Sequence, residues 1–283
     1  MRRPFSRLRG KPAKVAIATL VISLVGVTAA IAAKPQPAID TFTPHHERDI
    51  PNIDVLRQQI RNYYGDPLGT GTFSNNSYYA KEAKGVAQDG ADWLARDRDP
   101  SRLQAIILDV DDTTLATWNY EIFSNWAFNF TTNAQFVTDQ AFPAVPGMVK
   151  MVNKAAKEGY AIFFLTGRGA DQEPATLGNL TSDGTGVDAG YPTPTTLNDG
   201  EDGLFTKPAI ADYPDYLLEA CAAELAQSPP KSCTTIHYKS ATRAHIESLG
   251  YDIVANFGDQ FSDLVGGHAD RTFKMPNPNY FLP

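Results

Sequence analysis

Three carboxylates crowd the end of one apolar run, Ile106-Ile-Leu-Asp109-Val-Asp111-Asp112. Burying like charges side by side needs compensation, and a hard divalent cation, which prefers oxygen ligands, supplies it. Asp109 and Asp111 are two residues apart. Alternate side chains of an extended segment point the same way, so both can face one ligand. Thr166-Gly-Arg168 closes a second apolar run, and Lys239 precedes Ser240-Ala-Thr-Arg-Ala-His. Asp259 and Asp263 form Gly-Asp-x-x-x-Asp, a spacing that puts both carboxylates on one helical face. Phosphoryl transfer needs a nucleophile, a proton donor and positive charge around the equatorial oxygens, and this set contains all three. Each piece also has a plainer reading taken singly: a solvated acidic loop, a Thr or Asp helix cap, a surface lysine. Their joint placement decides between the readings.

That placement rests on the elements between the motifs. Residues 103–108 read as a strand, 145–158 as a helix begun by Pro146 and stopped by Gly159, and 160–165 as the next strand. Helix 213–226, a short strand 234–236, helix 240–249 and strands 252–257 and 271–273 follow. Strands alternating with helices predict an α/β fold, a Rossmann-like parallel sheet with helices on both faces. Ligands of such sheets bind outside the carboxyl ends of the strands, where all four motifs fall. A cation beside the start of helix 240–249 would share its phosphate site with free N–H groups.

Two insertions interrupt this core, which spans 103–283. Residues 117–142 carry Trp118, Tyr120, Phe123, Trp126, Phe128, Phe130, Phe136 and Phe142, and read as a small cap with its own core. Trp118, Tyr120 or Trp126 could instead stack on an aromatic leaving group. Residues 169–211, rich in Gly, Thr, Asp and Pro, read as a long ordered loop or second cap element. Residues 34–102 read as a Pro-rich arm followed by helices at 53–64 and 77–98 that pack on the core and carry no chemistry.

Residues 1–33 have the anatomy of an export signal: six Arg and Lys, an apolar stretch too short for a full membrane span, then Ala30-Ile-Ala32. Cleavage there leaves no stable membrane anchor and predicts a secreted or extracytoplasmic protein. Without those six cations the chain holds 19 Lys+Arg against 32 Asp+Glu, a net charge near −13. So acidic a chain argues against a nucleic acid polymer as partner. Cys221 and Cys233 are the only cysteines, and in an exported chain they predict a disulfide.

The order of the motifs resembles the haloacid dehalogenase superfamily, specifically its phosphatases. The end of the chain, Phe273-Lys-Met-Pro-Asn-Pro-Asn-Tyr280, and Ile236-His-Tyr-Lys239-Ser resemble the secreted acid phosphatases of subfamily IIIB, which include plant vegetative and bacterial lipoprotein acid phosphatases. The resemblance implies a Mg²⁺-dependent hydrolase acting on small phosphate monoesters, nucleotides and aryl phosphates among them. It makes Asp109 the nucleophile and Asp111 the acid and base. Thr166 and Lys239 would bind the phosphoryl group. Asp109, Asp259 and the Asp111 carbonyl would ligate Mg²⁺, with Asp263 in support, while Arg168 either supports the site or pairs with a carboxylate. A phosphotransferase with the same intermediate and a non-enzymatic storage or binding protein are the competing functions.

Overall fold

The computed structural model describes residues 44–198 and 200–282, so the expected export signal and most of the arm lie outside the described residues. The elements run α1 (Ile53–Tyr64), α2 (Tyr78–Asp97), β1 (Gln104–Leu108), α3 (Trp118–Ser124), α4 (Phe130–Thr138), α5 (Met148–Lys157) and β2 (Ala161–Gly169). Then come α6 (Glu173–Thr181), β3 (Leu204–Lys207), α7 (Asp215–Ala220), α8 (Ala222–Leu225), α9 (Thr235–Ser248), β4 (Asp252–Gly258), α10 (Phe261–Leu264) and β5 (Thr272–Lys274). The five strands form one parallel sheet in the order β3-β2-β1-β4-β5.

Why these runs make a two-sided sheet is visible in their alternation. Ile106, Leu108, Ile162 and Phe164 join the core on one face, under α2 and α5. Ala105, Ile107, Phe163 and Leu165 join the core on the other, under α7 and α9. Both faces are covered, so the strands read as continuous apolar runs. Gly90 lets α2 lie close on the sheet: a Cβ there would come within 2.6 Å of the Phe257 ring.

Three local expectations change. The short strand expected at 234–236 is the start of α9: Thr234 caps it by accepting from the His237 N–H at 3.2 Å, and a cap outweighs the β-propensity of a Thr-Thr-Ile run. The expected helix 213–226 breaks at Cys221 into α7 and α8. The 169–211 stretch is no mere loop. It contains α6 and the edge strand β3, whose four residues are too few to announce themselves among so many Gly, Pro and Asp residues. Cys221 and Cys233 are joined in a disulfide, as expected, and both are buried.

The aromatic insertion does not close on itself. Tyr120, Phe123 and Phe136 pack together, with ring centroids 5.1 Å apart for Phe123 and Phe136. Trp118 instead stacks on Tyr64 of α1 at 4.1 Å, and Tyr64 stacks on Tyr79 of α2 at 4.2 Å. Trp118 and Tyr120 are fully buried in these contacts, which removes them as faces for a leaving group. No described helix is long and apolar enough to cross a membrane.

Candidate active site

β1 delivers Asp109 at its carboxyl end. The Asp109 N–H donates to the Phe257 carbonyl of β4 at 3.0 Å, so the sheet ladder fixes the residue before the chain turns away. The turn after it is built around Val110, whose carbonyl accepts from Thr114 N at 3.0 Å and Leu115 N at 2.9 Å. Asp112 sits in this turn at φ +54°, fully buried, where a short polar side chain tolerates left-handed backbone. Its carboxylate accepts from the Thr117 N–H at 3.0 Å and hydroxyl at 2.6 Å. Asp112 therefore shapes the loop, a role the sequence did not assign.

Asp109 and Asp111 part company here. Asp109 is buried and takes the Lys239 ammonium at 2.5 Å on Oδ1. Asp111 is partly exposed and is gripped through both oxygens by Arg168, Nε to Oδ2 at 3.0 Å and Nη2 to Oδ1 at 2.6 Å. Arg168 is itself fixed by a bond from Nη1 to Thr176 of α6 at 3.0 Å, with its guanidinium over the Phe142 ring. Its open role resolves into pairing with Asp111. Thr166 is fully buried near the end of β2, beside the end of β1, and its hydroxyl accepts from the Arg168 N–H at 3.2 Å.

Lys239 lies inside α9, one turn in, rather than ahead of a helix, so it does not share its place with free helix-start N–H groups. It bridges Asp109 and Asp263, reaching Asp263 Oδ1 at 2.7 Å. Burial opposes its charge, but Asp109 and Asp263 outweigh burial and raise the ammonium above its ordinary range. Arg243, one turn further along α9 and fully buried, donates to the carbonyls of Asp263 at 2.7 Å, Val265 at 2.5 Å and Gly267 at 2.9 Å. It clamps the loop that carries Asp259 and Asp263, and the sequence reading did not single it out.

Asp259 follows β4 and is buried. Its Oδ2 accepts from Gln260 Nε2 at 2.5 Å and Asn277 Nδ2 at 2.6 Å. Burial, then neighbouring Asp263 and Asp112, push its carboxyl up to about 7, while the two amides pull it down. Asp263 Oδ2 accepts the Gln260 N–H at 2.8 Å. Tyr280, near the end of the chain, feels the same field: burial first, then Asp259, Asp112, Asp111 and Asp109, raise its phenol.

Carboxylate oxygens of Asp109, Asp259 and Asp263 lie within 4.8 Å of one another. All three are hard oxygen donors, and with one ammonium among them the set keeps two negative charges when fully ionised. A divalent cation fits that donor set and that charge. The Asp111 side chain is not part of the cluster; the contact expected of it was through its carbonyl. Asp263, expected in support, stands with the other two.

A parallel sheet whose central strand ends in a buried, lysine-paired aspartate defines a haloacid dehalogenase type of α/β protein. The chain belongs to the acid phosphatases of that superfamily's subfamily IIIB, whose family model matches residues 33–210 and 218–283. The stem 28 kDa glycoprotein of Glycine max is 30% identical over 218 residues, 75% of this chain and 73% of that protein. Acid phosphatase 1 of Solanum lycopersicum is 28% identical over 180 residues, 62% of this chain and 58% of that protein. Vegetative storage protein 1 of Arabidopsis thaliana is 23% identical, covering 83% and 75%. Among solved structures, a class C acid phosphatase from Bacillus anthracis shares the fold, with a TM-score of 0.51 at 18% identity, covering 80% of this chain and 85% of that one.

Proposed function

We propose that this chain is an extracytoplasmic, Mg²⁺-dependent acid phosphatase that hydrolyses small phosphate monoesters through an aspartyl-phosphate on Asp109. The observation that carries the reading is the buried Asp109–Lys239–Asp263 arrangement beside Asp259 at the carboxyl edge of the sheet. Asp109 attacks phosphorus, and its carboxylate is aimed by the β4 ladder and by Lys239. Lys239 and the Thr166 region hold the phosphoryl oxygens, with Lys239 supplying positive charge where it develops. Asp111 gives a proton to the leaving oxygen and then takes one from the water that hydrolyses the acyl phosphate. Arg168 holds both oxygens of Asp111 as an ionised carboxylate, so one of these contacts has to open for Asp111 to take up from solvent the proton that it then gives to the leaving oxygen. Asp109, Asp259 and the Asp111 carbonyl would hold Mg²⁺, which when bound adds positive charge at the phosphoryl oxygens. The disulfide supports an oxidising compartment.

Relatives that include vegetative storage proteins keep a non-enzymatic reading in play, and Asp109 paired with Lys239 favours the enzyme over it. Hydrolysis of a chromogenic aryl phosphate from pH 4 to 8 tests the proposal. Turnover should require Mg²⁺ and vanish in Asp109→Asn. A folded, metal-loaded protein without turnover on any monoester would sink it in favour of storage. Product analysis with added alcohols separates hydrolysis from transfer.

A further inference from the structure

The carboxyl-terminal tail beyond β5 reaches the metal-type cluster through two amides whose directions are fixed. An amide has a donor end and an acceptor end, so occupying one end fixes what the other does. Asn277 Oδ1 accepts the Asn279 N–H at 2.8 Å, which turns its NH₂ toward Asp259. Gln260 Oε1 accepts the Leu282 N–H at 3.0 Å, which turns its NH₂ toward the same carboxylate. Both donors land on one oxygen, Oδ2. Among the described residues, the other, Oδ1, has only a long 3.5 Å contact from the Thr113 hydroxyl. Asn279 anchors the tail in turn: Nδ2 donates to the Tyr64 hydroxyl of α1 at 2.9 Å, and Oδ1 accepts from Trp126 Nε1 at 3.2 Å.

We infer that Asn277 and Gln260, oriented by the tail's own N–H groups, are positioning residues that commit Asp259 Oδ2 to amide donors and leave Oδ1 as a single-oxygen metal ligand. The tail, α1 and the aromatic insertion thereby become part of the metal site. This rests on the reading of Asp259 as a Mg²⁺ ligand. Residues that orient a ligand are typically worth about ten- to a hundredfold in metal affinity.

The test is calorimetric titration of the full folded chain with Mg²⁺ alone, beside thermal unfolding of the metal-free protein. Asn277→Ala should weaken Mg²⁺ binding about tenfold. Leu282→Pro removes a single N–H at an exposed position, so it keeps the test available if Asn277→Ala does not fold. It should weaken binding severalfold, with the metal-free melting temperature unchanged. Asn279→Ala, which touches no carboxylate, should weaken binding to a similar extent, together with a lower metal-free melting temperature because the buried Tyr64 hydroxyl loses its partner. KM for an aryl phosphate at saturating Mg²⁺ should stay near that of the parent in all three. Parental Mg²⁺ affinity in folded Leu282→Pro and Asn279→Ala would overturn the inference, as would a lowered melting temperature with affinity intact. A parent chain that binds no Mg²⁺ would overturn the metal reading itself and this inference with it.

Discussion

Two walls close on different members of one buried carboxylate cluster with opposite chemistry. Helix α9 brings cations: Lys239 between Asp109 and Asp263, and Arg243 one turn on, serving three carbonyls of the 263–267 loop. The tail brings neutral amides, Asn277 directly and Gln260 through Leu282. An ammonium offsets charge strongly but points nowhere in particular. An amide offsets little charge, but its two ends are distinct, so it can select one oxygen. The site therefore divides the labour, with charge balance from the helix and aim from the tail.

Removing charge should cost most. Lys239→Met strands Asp109 and Asp263 without a counter-ion, and kcat/KM on an aryl phosphate should fall about a thousandfold. A loss under tenfold would erase the distinction between the walls. Arg243→Met strips the donors from the Val265 and Gly267 carbonyls, leaves the Asp263 carbonyl to Asn256 alone, and should lower unfolding free energy by about 2 kcal/mol, read by urea denaturation. Stability within error of the parent would mean that the clamp on the loop is ornamental.

The smallest effect concerns pH. Burial pushes Glu121 of α3 from 4.5 to about 7, and burial likewise raises Asp112 to about 7. The folded chain then keeps protons that the unfolded chain has released between roughly pH 4.5 and 7, so stability rises as pH falls through that window. The metal-free melting temperature should climb from pH 8 to pH 5. Glu121→Gln should flatten the climb and raise the melting temperature at pH 8. An unchanged slope would remove Glu121 from the cause.

The charged wall was largely legible in the sequence, and the amide wall was not. Asp109, Asp259 and Asp263 announce themselves because carboxylates at the ends of apolar strands are costly without a partner. Lys239 was found by the resemblance of Ile236-His-Tyr-Lys239-Ser to its family, although its helix starts a turn earlier than its neighbours suggested. Asn277 and Asn279 sit in a tail that the sequence marks by family resemblance without giving either a role, and that role exists only once residues 215 positions apart meet at Tyr64. The parallel sheet was readable from its apolar runs, but edge strand β3 was hidden in Gly- and Pro-rich surroundings. The signal for Arg243 was available: it lies four residues after Lys239, and a cation on the same helical face points into the same region.

The chemistry itself can be read by mass spectrometry of acid-quenched protein turning over an aryl phosphate with Mg²⁺. The predicted result is a peptide spanning Asp109 that carries the mass of one phosphoryl group, lost on mild alkaline treatment and absent in Asp109→Asn. Rapid turnover with no adduct there, and persisting in Asp109→Asn, would contradict Asp109 as the nucleophile.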